Sequence, residues 1–115
     1  GYMNPTLPLL KGTLDLLILK SLSWGELHGY GIASWLERQS GGTLGVDDSA
    51  LYQALHRLEA RGLVEAEWGV TETNRKARYY ELTVTGRQRL RKETATWLKY
   101  TASVTEILSL TSPAK

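Results

Sequence analysis

Four side chains that can donate hydrogen bonds fall close together in the middle of the sequence. They are Ser49, Gln53, His56 and Arg57. Leu51, Leu55 and Leu58 recur among them at i, i+4 and i+7, so an apolar stripe would occupy one side of a helix and the donors the other. Gln pairs bidentately with adenine, and Arg reaches guanine or a phosphate. The stretch therefore predicts a short helix whose polar side could contact base edges in a DNA major groove.

Ala50 and Tyr52 lie in the first turns of the same helix, the part of a recognition helix that usually enters the groove. We therefore include both in the candidate DNA-binding set. Tyr52 lies nearer the apolar stripe, which leaves two interpretations open: contact with DNA through its hydroxyl, or packing of its ring. Asp47 is the natural N-cap of this helix, and Gly62 is its C′ residue.

Two strands joined by a basic loop follow the helix, over Leu63–Trp68 and Ala77–Leu82. Three cations near the turn are the candidate DNA-binding residues of this hairpin: Arg75, Lys76 and Arg78. Contacts from such residues to phosphates fix a protein on a duplex without carrying sequence information. A donor-bearing helix beside a cationic hairpin predicts a winged helix, with the hairpin as its wing.

The charge of the whole chain is nearly balanced, at +2, but its distribution is uneven. From Arg75 to Lys92, eighteen positions hold seven of the fourteen basic residues and a single acid, Glu81. Such clustering makes a local positive field that can steer a polyanion. A charge run alone would favour a solvated helix surface, but the adjoining hairpin and helix favour nucleic acid.

The residue types also argue against a metal site, a cofactor and enzyme activity. The sequence has no cysteine and two histidines, neither at a metal-ligand spacing, so we expect no metal site and no cofactor. It has no nucleophile–base pairing or phosphate-cradling glycine loop, so we expect no catalytic residues and no enzyme activity. His28 is expected to be a satisfied structural group, and His56 to lie on the groove side rather than act as a pH switch. Without a signal pattern or an apolar run of about 20 residues, a cytoplasmic protein with no membrane contact is expected.

Two further helices are predicted ahead of the donor-bearing one, over about Leu9–Leu22 and Gly29–Gln39. The buried stripe of the first is formed by Leu10, Leu14, Leu17 and Ile18. At 115 residues the chain fits one small domain. We predict a mainly α fold with a two-stranded β wing. A winged helix-turn-helix DNA-binding domain would occupy residues 9–83, and a long C-terminal dimerisation helix residues 84–110.

That last helix carries an interrupted a/d seam. The members of the seam are Leu90, Thr94, Trp97, Thr101, Val104 and Leu108. At 1.5 Å per residue the helix would be roughly 40 Å long, more than so small a core can cover. We therefore predict a homodimer through this helix. A dimer whose two recognition helices lie one DNA turn apart can bind a palindromic operator.

Trp97 suggests a second site, between two chains. A two-fold axis crossing the last helices would bring two indole rings together, and their faces would form a slot for a flat aromatic molecule. Leu14 and Leu90 could line apolar walls, and Glu93 or Asp15 could orient a cationic group. The alternative is that Trp97 is an ordinary anchor of the interface.

Several blocks of the sequence, in order and spacing, resemble the PadR family of bacterial transcriptional regulators. The blocks are Gly12–Leu19, Leu27–Ile32, Leu51–Glu59, Gly62–Val64, Glu67–Gly69 and Arg78–Thr83. The resemblance implies a winged-helix dimer that represses promoters and is released by small molecules. It also implies the family's compact branch, with a single dimerising helix after the wing, and planar hydrophobic ligands beside Trp97 at the dimer interface. One departure is Ala50, where the family often has a hydroxyl that could bond a phosphate.

The sequence therefore predicts a ligand-responsive transcriptional repressor that binds double-stranded operator DNA as a homodimer and responds to a small aromatic inducer. The alternative is a winged helix that serves as a protein–protein interaction module, without sequence-specific DNA binding. Such a module would tolerate neutral residues in the hairpin, so the three hairpin cations favour DNA.

Overall fold

The computed structural model describes Leu9 and residues 12–113, and within them lie four helices and three strands. They are α1 (Thr13–Ser21), β1 (Leu27–His28), α2 (Gly29–Gln39), α3 (Asp48–Ala60), β2 (Val64–Val70), β3 (Lys76–Leu82) and α4 (Val84–Leu108). The mainly helical architecture, the β2–β3 hairpin and the long last helix confirm the predicted winged helix-turn-helix with its C-terminal helix.

The first helix begins later than its leucine periodicity predicts. α1 starts at Thr13, and Leu9 is not helical. Gly12 stands between them with a φ of 90°, in the left-handed region that glycine adopts without steric cost. The predicted start at Leu9 is therefore wrong, because the backbone turns at Gly12 before the helix forms.

The predicted apolar stripe of α1 is buried in part. Ile18 is fully buried, while Leu14 and Leu17 are half-buried against the core. Leu10, the first member of the stripe, lies outside the described residues. α1 contacts both α3 and α4, so it joins the donor-bearing helix to the last helix.

The sheet has three antiparallel strands where the sequence pattern predicts two. Leu27 pairs with Tyr80 and His28 with Tyr79, so β3 lies between β1 and β2. A strand of two residues is too short to show the alternation by which strands are recognised. The short β1 ties the start of α2 to the hairpin.

α2 has its predicted bounds, and its N-cap is a histidine. The Nδ1 atom of His28 accepts a hydrogen bond from the backbone N–H of Gly31 at 2.9 Å. The ring also lies against Tyr79, with 5.2 Å between the ring centroids. His28 is thus a satisfied structural group, as predicted.

α3 is capped at both ends by the residues that its sequence predicts. The Asp47 carboxylate accepts from the N–H of Ala50 at 3.2 Å and caps the start. Gly62 has a φ of 73°, which lets the N–H of Leu63 reach back to the carbonyl of Leu58 at 3.0 Å. These caps fix where the donor-bearing helix begins and ends.

α4 is seated on the core by its first two turns. Thr83 caps it by accepting from the N–H of Gly86 at 2.9 Å, and Leu90 is buried. Gly86 lies so close to the backbone carbonyl of Leu63 that a Cβ would collide with it. The rest of α4 leaves the core, and most of its apolar side chains are exposed.

None of the helices in residues 12–113 combines the length and hydropathy that a membrane crossing requires.

Candidate nucleic-acid interface

The exposed side of α3 gathers the polar residues that the sequence places there. Its leucines are buried, and the remaining predicted side chains are exposed. The exposed set is Ser49, Tyr52, Gln53, His56 and Arg57. Ala50 is half-buried at the capped first turn, where its backbone N–H bonds Asp47. The helix therefore presents one donor-bearing surface with its apolar face turned inward.

Ser49 and Gln53 face each other one helical turn apart. The Nε2 of Gln53 donates to the Oγ of Ser49 over 3.4 Å, a long hydrogen bond. A bond of that length between exposed groups is easily exchanged for one to a base edge. Both side chains are thus available to a ligand at little cost.

An ion pair joins the exposed side chain of Arg57 to α1. Its Nη2 donates to the Oδ1 of Asp15 on α1 at 2.8 Å, although the Arg57 side chain remains 53% exposed. The remaining guanidinium N–H groups point away from this bond and can still donate. The pair fixes α3 to α1 as well as placing a cation at the edge of the donor surface.

The wing separates opposite charges onto its two sides. Cross-strand pairs place Trp68 beside Arg78 and Val70 beside Lys76, and we call the side formed by these four residues the basic face of the wing. The other side pairs Glu65 with Glu81, and the neighbouring Glu67 also lies there. Since the carboxylates repel phosphate and the cations attract it, a polyanion would approach the basic face.

Arg78 has a structural partner on α3. Its Nη2 donates to the Oε2 of Glu59 at 2.9 Å, and its guanidinium lies 5.8 Å from the centre of the Tyr80 ring. Burial raises the pKa of the Tyr80 hydroxyl above its ordinary value. Arg78 thus joins the wing to the end of α3.

The tip of the wing is a short polar turn. The N–H of Arg75 donates to the Oγ1 of Thr71 at 3.1 Å, and the N–H of Thr71 donates to the carbonyl of Arg75 at 2.8 Å. Asn74 turns the chain with a φ of 62°, a conformation that Asn tolerates better than most residues. Arg75 and Lys76 are exposed here and form no ion pair within the described residues.

A groove of about 1290 Å³ runs between α2, α3 and the wing. Aromatic rings line much of it: Tyr30, Trp35, Tyr52, Trp68, Tyr79 and Tyr80. Its cations are Arg38, Arg75, Lys76 and Arg78, and its acids are Glu26, Glu59 and Glu72. Among the predicted DNA-binding residues, five line this groove: Tyr52, His56, Arg75, Lys76 and Arg78. The groove therefore joins α3 to the wing.

Sequence reasoning missed three exposed aromatic or basic residues of this groove: Tyr30, Arg38 and Trp68. Trp68 alternates in phase with the buried Val64, which predicts packing, yet its ring is 64% exposed. The strand extends past the core, so the same side that is buried at its base is open at its tip. The exposure of Tyr30, 78%, depends on how α2 meets the wing and has no signal in the sequence.

The basic cluster between positions 75 and 92 is divided in space. β3 runs seven residues from the tip to the core, about 20 Å, before α4 begins. Arg87 donates to the carbonyl of Ser23 at 3.3 Å, and Arg89 pairs with Glu93 at 3.4 Å. The wing cations and the α4 cations are therefore separated along the chain by the length of β3, and only the wing cations line the groove beside α3.

The second predicted site lies along α1 and α4. Leu90 is buried, and Leu14, Glu93, Thr94, Trp97 and Thr101 are half-buried. The Trp97 and Tyr100 rings are neighbours, with 6.3 Å between their centroids. Farther along, Val104 is 37% exposed and Leu108 79% exposed. The seam is thus partly covered near the core and open toward the end of the helix.

Three helices followed by a β hairpin that flanks the third define a winged helix-turn-helix protein. Residues 18–92 match the model of the transcriptional regulator PadR-like family. The chain belongs to that family, whose members are transcriptional regulators rather than enzymes. It is also 28% identical to uncharacterized protein X of Lysinibacillus sphaericus, over 89% of this chain and 90% of the other.

Solved structures of the family have the same fold. A PadR-like transcriptional regulator from Bacillus cereus is 26% identical, with a TM-score of 0.75, over 88% of this chain and 96% of that one. Bacillus subtilis PadR, crystallised in complex with operator DNA, is 24% identical with a TM-score of 0.63. That likeness covers 92% of this chain but 52% of the B. subtilis chain, so this chain spans about half its length.

Proposed function

We propose that this protein is a transcriptional repressor that binds double-stranded operator DNA through α3 and the wing. The observation that supports this best is the common groove of the two elements, which brings Tyr52 and His56 of α3 beside the wing cations Arg75, Lys76 and Arg78. Ser49, Gln53 and Arg57 do not line the groove but are exposed on the same helix. The family and the operator complex of B. subtilis PadR add support. A protein–protein module of the same fold would tolerate neutral residues at the wing tip, whereas Arg75 and Lys76 are exposed there and form no ion pair within residues 12–113.

The proposed contacts divide by chemistry. Ser49 and Gln53 are exposed in the first turns of α3, where side chains reach base edges in the major groove. Arg75 and Lys76 at the wing tip supply phosphate contacts. The proposed interface is completed by Ala50, Tyr52, His56, Arg57 and Arg78. Two of these also form ion pairs within the protein: Arg57 with Asp15 on α1, and Arg78 with Glu59 on α3.

We propose further that the protein acts as a homodimer through α4. This helix is 25 residues long, about 37 Å, but only its first turns are seated on the core. Leu98, Ile107 and Leu108 are 61%, 66% and 79% exposed. A second copy would bury this surface, and the resulting two-fold symmetry suits a palindromic operator.

The proposed inducer site lies beside Trp97, where a planar aromatic molecule would stack between two chains. Trp97 and Tyr100 supply ring surface, and Leu14 an apolar wall. Both acids that could orient a cationic ligand already have partners, since Asp15 binds Arg57 and Glu93 binds Arg89. A ligand that takes Asp15 would therefore disturb the attachment of α3, which gives a route from inducer to DNA.

The test of DNA binding is titration of the protein onto a palindromic promoter fragment and a scrambled duplex of equal length across a salt series. We expect tighter binding to the palindrome, and an observed association constant that falls steeply with salt as phosphate counterions are released. Binding that is absent at low salt, or identical for both duplexes, would contradict an operator-binding function.

A further inference from the structure

Two tryptophans of this protein carry a lysine over an exposed ring. The Nζ of Lys76 lies 4.9 Å from the Trp68 ring centre, on the wing. The Nζ of Lys20 lies 4.7 Å from the Trp24 ring centre, near the end of α1. Trp68 is 64% exposed and Trp24 is 70% exposed. The two pairs are alike in chemistry, but only Trp68 lies in the groove beside α3.

We propose that Trp68 is a positioning residue of the DNA interface, holding the Lys76 ammonium over its indole face so that the wing presents a fixed cation to a phosphate. This inference rests on the proposed DNA binding. An ammonium within about 6 Å of an indole centre is attracted by the electron density of the ring face. The register supports the contact, because Trp68 and Lys76 lie diagonally on the basic face of the wing.

Lys76 has no other anchor among the described residues. No carboxylate lies on the basic face of the wing, whereas Arg78 is fixed by Glu59. A lysine side chain has four flexible bonds, so an unrestrained ammonium must be ordered when it binds a phosphate. The Trp68 ring would remove part of that cost in advance while leaving the outer side of the ammonium open to DNA.

A double-mutant cycle on DNA affinity tests this role. The variants are Trp68→Leu, Lys76→Ala and the combined change, with binding to a scrambled duplex measured at fixed salt. Leucine keeps apolar bulk but has no aromatic face. The Trp68 ring also lies 5.9 Å from the Arg78 guanidinium, but Glu59 fixes that side chain independently of the ring. We therefore expect Trp68→Leu to weaken binding about two- to fivefold in the parent, and most of that loss to disappear once Lys76 is alanine.

Trp68→Phe is the conservative variant and should recover part of the affinity, because phenylalanine keeps a smaller aromatic face. Trp24→Leu removes the matching ring outside the groove and should leave DNA binding unchanged. Thermal unfolding of each variant, measured alongside, should show that the wing variants remain folded. A merely structural role for Trp68 would weaken binding equally with and without Lys76.

The outcomes separate this proposal from the proposed function. An equal loss from Trp68→Leu in both backgrounds, or no loss in either, would overturn the positioning role while operator binding stands. If the parent protein binds no duplex at low salt, the DNA-binding function itself is wrong. Loss of affinity that disappears in the Lys76→Ala background, with recovery by phenylalanine, supports the proposal.

Discussion

His28 shows how one side chain can organise the start of an element. Its Nδ1 caps α2 and its ring packs on Tyr79, so it serves the helix and the sheet together. We predict that His28→Ala lowers the free energy of unfolding by about 1 kcal/mol, the usual cost of removing an N-cap. His28→Asn should recover most of that stability, because an Asn side chain also accepts from the helix N–H groups.

The measurement is urea unfolding at one protein concentration, so that association does not alter the apparent stability. If the asparagine variant is as unstable as the alanine variant, ring packing and not capping is the main contribution of His28.

Gln53 is the residue from which we expect sequence discrimination. It is exposed on α3, and its only side-chain hydrogen bond in the described part of the chain is the long one to Ser49. We predict that Gln53→Ala costs about 1–3 kcal/mol of binding free energy on the operator and much less on scrambled DNA. Gln88→Ala, on the exposed side of α4, is the matched control. Equal losses on the two duplexes would show that Gln53 does not contact base edges.

At this scale the sequence predicts local interactions well and distant ones poorly. Asp47 and Gly62 follow from rules that involve neighbours within a few positions, and both are where the rules put them. The Arg57–Asp15 pair joins residues 42 positions apart, so no local pattern reveals it. It changes the expectation for Arg57, from a free DNA contact to a residue shared between DNA and α1.

The wing is the element whose contribution can be measured most directly. We predict that the double change Arg75→Ala and Lys76→Ala weakens binding about equally on operator and scrambled DNA. The slope of log affinity against log salt should fall in magnitude by about 0.9 for each phosphate that the variant no longer neutralises. The reason is that phosphate contacts carry affinity but no base information.

A matched pair of cations serves as the control. Arg91 and Lys92 are exposed on α4, beyond the opposite end of β3 from the wing tip. Arg91→Ala with Lys92→Ala should leave the salt slope unchanged. A slope that responds to both pairs would place DNA along α4 as well, and one that ignores the wing pair would remove the wing from the interface.

Helices and strands with a clear hydrophobic periodicity are predicted from the sequence. Those that form only because another element pairs with them are not. The repeating leucines place α3, and α2 has its predicted bounds. β1 is a strand because its two residues pair with β3, and two residues are too few to show hydrophobic alternation. The basic run is informative about nucleic acid but not about shape, since β3 separates its two halves.

For the whole molecule, the open seam of α4 predicts association. We expect Val104→Asp to shift the protein from dimer to monomer, because two charges would face each other in an apolar seam. Operator binding should weaken with it, since two half-sites are no longer held together. Sedimentation over a range of concentrations gives the oligomeric state, and Lys99→Asp, at an exposed position opposite the seam, is the control. A dimer that survives Val104→Asp would place the interface elsewhere.

The ligand site also belongs to the whole molecule, because it requires two chains. We predict that planar aromatic cations quench the tryptophan fluorescence of the parent protein, and that Trp97→Ala abolishes the effect. The control is dimerisation of the variant, measured separately. If Trp97→Ala still dimerises and binds these ligands as tightly as the parent, Trp97 is an interface anchor only.

The sequence predicts which residues form the core of one chain, but not how two chains would pack together. Leu90 is the last residue of α4 that is buried in the core. The a/d spacing beyond it predicts a partner helix without fixing its direction or crossing angle.

Gly86 packs closely against the Leu63 carbonyl, so this contact fixes the direction in which α4 leaves the core. From Gly86 to Leu108 the helix extends about 33 Å, so a tilt of about 10° at Gly86 moves its far end about 6 Å. Neighbouring base pairs are about 3.4 Å apart along DNA. A tilt too small to disturb the core would therefore change the separation of two such molecules by more than one step of the duplex. In the proposed dimer, Gly86→Ala would push the start of α4 away from Leu63, and we would then expect an operator with altered half-site spacing to bind better.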